Sequence, residues 1–170
     1  MASLAYDDRY AEPVMIMGHG IPSAERRVAW LIENALLEMQ AAGRHAVRIV
    51  DIGCGSGAVL IRALVCARSL GFVAIEGRGV DRSGDDIMVA RWATRGWADP
   101  AIGLSFEVSA IDDALAREED GSVDILLYAR SVMERLPIAT RSWVARDIRR
   151  IANRLIIKGE HPAVPAGGAR

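Results

Sequence analysis

Lysine is nearly missing from this chain: Lys158 stands alone among 21 basic residues, and arginine supplies the rest. Cysteine and histidine are also scarce. Cys54 and Cys66 form no C-x-x-C pair and there are three histidines, which excludes a disulfide framework and a structural zinc site. No metal is expected, and both thiols read as small buried fillers in a reducing compartment. No apolar run approaches the roughly 20 residues needed to cross a bilayer, and the N-terminus lacks the basic-then-apolar pattern of a secretory leader. The chain therefore reads as cytoplasmic, with no membrane partner. A net charge of −1 provides no broad positive field, which argues against a nucleic-acid partner. The densest basic cluster is Arg141, Arg146, Arg149 and Arg150; it has helical spacing and contains Asp147, so it reads as a solvated helix face. No internal repeat is present.

What the chain does have is the composition of a folded domain, 51% hydrophobic and 25% charged over 170 residues, enough for one core and too little for two. A single domain over 1–170 is expected, with 1–13 and 162–170 flexible and 47–160 as the ligand-binding core. The central stretch is Val47-Arg48-Ile49-Val50-Asp51-Ile52-Gly53-Cys54-Gly55-Ser56-Gly57, an apolar strand that runs into three alternate glycines. Glycines at that spacing allow a tight turn and close approach of backbone to a ligand, at the N-terminus of the helix that follows. The carboxylate of Asp51 at the strand mouth favours a guest carrying a cation over a pyrophosphate.

The surrounding pattern alternates helices and strands. Ahead of the central stretch, Val14–Met17 is a short apolar run, and 24–42 has the i, i+3, i+4 stripe of an amphipathic helix with Val28, Leu31, Ile32, Ala35, Leu36 and Met39 inward. Beyond it, the spacing predicts a helix over 56–70 and a strand within 72–81 ending at Asp81. A helix then starts at Ser83, with Asp86 three residues on as in a capping box. An edge strand over 104–109, a helical turn around 111–119 and a central strand over 122–128 follow. Thr140 is expected to cap a helix with Trp143, Val144, Ile148 and Ile151 inward, before a fifth strand over 154–158. About five strands separated by helices predict an α/β fold: a doubly wound, mostly parallel sheet in three α/β/α layers, Rossmann-like, with its ligand beyond the carboxyl ends of the strands. The fifth strand would leave an apolar edge, to be covered by Val14–Met17 or by a second copy in a homodimer.

Asp81, 24 residues beyond Gly57, is placed to accept both hydroxyls of a ribose, and is otherwise a helix-entry turn residue. Val47 to Gly57 resembles motif I of the class I S-adenosylmethionine-dependent methyltransferases. Gly79-Val80-Asp81-Arg82-Ser83 resembles their acidic second-strand motif, and Ser122–Leu127 with Leu136-Pro137 their fourth-strand motif. The resemblance covers about 47–160 and implies S-adenosyl-L-methionine as cofactor. By the same resemblance, Gly53, Cys54, Gly55 and Gly57 line its amino-acid portion with Asp51 near its ammonium, Asp81 holds the ribose beside Arg82, and Tyr128, Ala129 and Arg130 flank the transferred methyl. Where the family has an acid after the third strand this chain has Ser109-Ala110, assigned to the adenine, with Asp112 and Asp113 just beyond. Glu134-Arg135 replaces a His pair, so no base is inherited there.

Candidate catalytic groups are then His19, in a Gly-His-Gly loop, Tyr128, and Glu160 and His161 after the fifth strand. The Asn/Asp-Pro-Pro-Tyr/Phe signature for nitrogen acceptors is absent, which leaves an oxygen or carbon of a small molecule as the expected acceptor. Two alternatives stay open. One is a non-catalytic methyltransferase-like binding module. The other is a nicotinamide-binding protein, since Gly53, Gly55 and Ala58 also fit G-x-G-x-x-G/A.

Overall fold

The computed structural model describes residues 23–159. Val14–Met17, His19, Glu160, His161 and the two expected flexible ends lie outside the described residues. Five strands, β1 (Ala46–Ile52), β2 (Ala74–Asp81), β3 (Ile102–Val108), β4 (Val123–Ala129) and β5 (Ala152–Gly159), form one sheet in the order β3-β2-β1-β4-β5. All four pairings are parallel, so the described sheet is wholly parallel. The strand order reverses between β1 and β4, which opens a crevice at their carboxyl ends.

Helices α1 (Ser23–Ala41), α2 (Ala58–Ser69) and α3 (Gly84–Ala93) cover one face; α4 (Ile111–Ala116) and α6 (Ile138–Ile151) cover the other. Alternation along each strand assigns its side chains to these layers. Val47 and Ile49 of β1 pack with Ile125 and Leu127 of β4 beneath Leu36, Leu60 and Leu64. Val50, Ile52 and Leu126 point the other way, toward Leu115, Val144 and Ile148. Strands β1 and β4 are apolar on both faces because both faces are covered, whereas β3 alternates as an edge strand.

The two glycines of β2, which blur that strand in the sequence, have a packing role. A Cβ on Gly79 would lie 2.5 Å from the Phe106 ring and 3.0 Å from Cys54 Sγ, and one on Gly77 would lie 2.7 Å from Leu64. Large neighbours fill the space above the bare backbone. At the end of β2 the expected cap is present: Ser83 Oγ accepts from Asp86 N at 3.2 Å. Ser83→Ala should therefore lower stability by about 1 kcal/mol, read as a fall in thermal midpoint.

Three expectations are corrected. Helix α6 begins at Ile138 with Pro137 in the cap position and no side-chain cap; Thr140 lies inside it, donating its N–H to the Pro137 carbonyl. The proline presets the entering backbone and starts the helix early. Helix α5 (Arg130–Arg135) was not expected, because six residues are too few for a periodic stripe. Trp143, assigned to the core, is 62% exposed; Val144, Ile148 and Ile151 already fill the inward face. Among the described residues, no helix is long and apolar enough to cross a membrane.

Candidate functional site

The crevice at the switch point is a cavity of about 540 Å³. Its wall is the loop Gly53–Ser56 with the first turn of α2, the residues following β2, Ile111 at the start of α4, and the segment from Ala129 through α5 to Leu136. The glycine loop is tied to β2, with Gly53 N and Cys54 N both donating to the Val80 carbonyl, at 2.7 and 3.0 Å. Gly53 has φ +74°, and a Cβ there would overlap Val132 Cγ2. Only glycine can hold that conformation at that approach, and the contact lets α5 close against the loop. Gly57 meets a different constraint: its Cβ would lie 2.6 Å from the Phe106 ring, so it faces the core beside α3.

Asp81 joins the two motifs. Its Oδ2 accepts from Gly55 N and its Oδ1 from Ser83 N, each at 2.9 Å. Two backbone donors hold the carboxylate at the cavity wall, while each oxygen keeps a second acceptor position. Gly55 has open space where a Cβ would stand, so its backbone lies bare to the crevice. Cys54 is 3% exposed, and burial, followed by the fields of Asp51 and Asp81, pushes its thiol well above the usual range. It stays protonated and is a poor nucleophile.

Of the residues expected at the cofactor site, Gly53, Cys54, Gly55, Asp81, Arg82 and Ala129 line the cavity. Asp51 is fully buried, and neither it nor Gly57, Ser109, Ala110, Tyr128 or Arg130 is in the lining. Ser109 Oγ is engaged by Arg117 Nη2 at 2.9 Å and by the Ala110 carbonyl at 3.1 Å; Ile111 takes the place in the wall. Arg130 pairs with Glu134 at 2.8 Å. Tyr128 points to the α6 side of the sheet, packed against the core there, and burial raises its phenol above the ordinary value, with Arg149 opposing. The lining residues that sequence reasoning missed, among them Asp86, Ile111, Val132 and Arg135, come from helix starts and from α5. Asp86 alone carried a signal, its place in the capping box. Among the described residues, no group of three or more His, Cys, Asp or Glu is arranged to hold a metal.

No family model matches the sequence, and no curated protein does either. Solved structures do match. The chain superposes on WbdD, a bifunctional kinase-methyltransferase, with a TM-score of 0.62 at 22% identity, over 86% of this chain and 31% of that one. A putative S-adenosyl-L-methionine-dependent methyltransferase from Methanococcus maripaludis gives 0.51 at 20% identity, over 81% of this chain and 58% of that one. The chain has the class I methyltransferase fold. YcgJ from Bacillus subtilis is a further match, with a TM-score of 0.50 at 18% identity, over 76% and 51% of the two chains. This methyltransferase-fold chain thus spans from about a third to just over half the length of these structures.

Proposed function

We propose that this chain binds S-adenosyl-L-methionine in the switch-point cavity and transfers its methyl group to an oxygen or carbon of a small-molecule acceptor. The observation that carries the reading is Asp81, whose carboxylate is fixed by Gly55 N and Ser83 N with acceptor capacity left over for a ribose diol. The rest of the cavity suits such a guest. Its volume, about 540 Å³, falls in the range of small-ligand sites. Ile111 and Val132 supply apolar wall, and the glycine loop opposes a backbone free of bulky side chains.

When bound, the sulfonium supplies an electrophilic methyl. The residues of the chain have to align the acceptor with it and, where the acceptor carries a proton, remove that proton. The backbone of 53–56 would hold the amino-acid portion, Asp81 the ribose, and Ile111 with Arg82 the base, while Ser131 and Arg135 on α5 border the acceptor end. Tyr128 is a poor candidate base because it does not line the cavity and burial raises its phenol above the ordinary value.

One observation favours binding without catalysis. Among the described lining residues the only titratable groups outside the arginines are Cys54, Asp81 and Asp86; Cys54 is held protonated and Asp81 is committed to the loop. Calorimetric titration with S-adenosylmethionine, S-adenosylhomocysteine and NAD separates these readings. Both sulfur nucleosides are expected to bind and NAD is not; NAD binding alone would overturn the assignment. Labelled methyl transfer to a panel of phenols, carboxylic acids and polyketides then tests catalysis, and tight binding without any transfer would favour the binding module.

A further inference from the structure

Charge is split unevenly along the chain. Residues 130–158 contain eight arginines and lysines against two acids, a net +6, while the other 141 residues carry −7. Several of these cations are engaged locally: Arg130 with Glu134, Arg141 with the carbonyls of Glu134 and Leu136, and Arg150 with Asp120, Asp147 and two carbonyls. Arg146 and Arg149 on α6 have no carboxylate partner among the described residues. Arg146 instead stacks over Trp143, 4.4 Å from the ring centroid.

Turning about 100° per residue, Ile138, Arg149, Arg146 and Trp143 share one arc of α6, opposite the inward face of Val144, Ile148 and Ile151. Ile138 is 81% exposed and Trp143 62%. A helix laid flat on the domain thus presents two large apolar side chains to the outside, and two guanidiniums without a carboxylate partner among the described residues. The stack keeps the indole outward with a cation beside it, the arrangement that suits a headgroup boundary.

We propose that the outer face of α6 docks on an anionic lipid surface, with Ile138 and Trp143 entering the headgroup layer and Arg146 and Arg149 pairing with lipid phosphates. Charge complementarity selects an anionic partner, and the aliphatic Ile138 selects lipid over RNA. Isoleucine offers a nucleotide neither a π-face nor a hydrogen bond, whereas in the acyl boundary its burial is favourable. A single convex helix also lacks the groove that tracks a nucleic-acid backbone.

Co-sedimentation of the full chain with vesicles of equal parts phosphatidylcholine and phosphatidylglycerol tests this. Saturable binding is expected, with a blue-shifted Trp143 emission, weakening strongly as salt rises toward about 1 M, where the Debye length is about 3 Å. Pure phosphatidylcholine vesicles should bind far less. Arg146→Ala and Arg149→Ala should each lower partitioning about fivefold. Trp143→Ala and Ile138→Ser should lower it by a similar factor or more, and Trp143→Phe should remove the blue shift. All four side chains are exposed and outside the cavity, so circular dichroism and S-adenosylhomocysteine affinity should be unchanged. Equal binding to neutral vesicles, absence of binding to anionic ones, or wild-type partitioning by the four variants would overturn the proposal. Tighter, salt-sensitive binding to single-stranded RNA than to anionic vesicles would also overturn it in favour of a nucleic-acid surface.

Discussion

Asp81→Ala is expected to weaken S-adenosylmethionine binding by about 3 kcal/mol, on the order of a hundredfold in Kd, with each charge-assisted bond to a ribose hydroxyl contributing roughly 1.5–3 kcal/mol. The carboxylate has two tasks, which makes the effect large. It receives Gly55 N and Ser83 N, so its removal also frees the middle of the glycine loop and the entry to α3. Asp81→Asn separates the tasks: one amide oxygen can still accept from a backbone N–H, but the charge offered to the ribose is gone. Calorimetry should rank wild type above Asn and Asn above Ala, and circular dichroism should show all three folded. Unchanged affinity in folded Asp81→Ala would remove this cavity as the ribose site.

Glu118→Gln is expected to cost about 3–5 kcal/mol of folding free energy, the range for removing one partner from a buried ionic group. Glu118 lies just after α4 and is 6% exposed. Its carboxylate bridges Arg48 of β1 and Arg78 of β2; Arg48 continues to Glu76 at 2.9 Å and Arg78 to Glu107 at 2.8 Å. The six-residue α4 is too short to cover the lower part of this sheet face, and the network fills that space. Without Glu118, two guanidiniums with side chains only 23% and 14% exposed keep single carboxylate partners nearer the rim. The exposed pair Arg130–Glu134 makes a useful control, since its loss should cost less than about 1 kcal/mol.

The same group gives a pH dependence. Burial alone would raise the Glu118 pKa, but the hydrogen bonds from Arg48 and Arg78 outweigh it and leave the carboxyl below its ordinary value. A depressed folded pKa means that the stabilisation is complete above the unfolded value, near 4.3, and is lost as pH falls through the lower folded one. Glu107 is shifted in the same direction, chiefly by Arg78. Chemical denaturation of the wild type should therefore lose stability steeply below about pH 4, and Glu118→Gln should flatten that slope. Parallel pH profiles for the two proteins would show that the bridge is not coupled to folding.

Periodicity was enough for the long elements. The stripe from Val28 to Met39 and the run from Val123 to Leu127 each repeat often enough to declare a helix or a two-sided strand, and the structure forms both. It failed where an element is short or where a side chain has two plausible directions. Helix α5 has six residues and no buried side chain, so nothing in its pattern separates it from a loop, yet it forms a wall of the cavity. Trp143 is apolar and adjacent to the inward Val144, but one residue turns a helix by about 100°, which carries the indole off the buried stripe of Val144, Ile148 and Ile151.

For this chain, the order of apolar runs, glycines and acids along the sequence determined an α/β fold with a glycine loop at Gly53–Gly57 and an acid at the end of the second strand. These are local properties, legible because strand period, turn geometry and helix entry each depend on a few neighbouring residues. Which residues face the cavity was decided only by the tertiary structure. Gly57 turned to the core against Phe106, Tyr128 packed against the core beside α6, and Val132 and Arg135 came to the site from a helix without a sequence signature. Each outcome depends on which distant side chain occupies the adjacent space, and that is settled by packing between layers rather than by spacing along the chain.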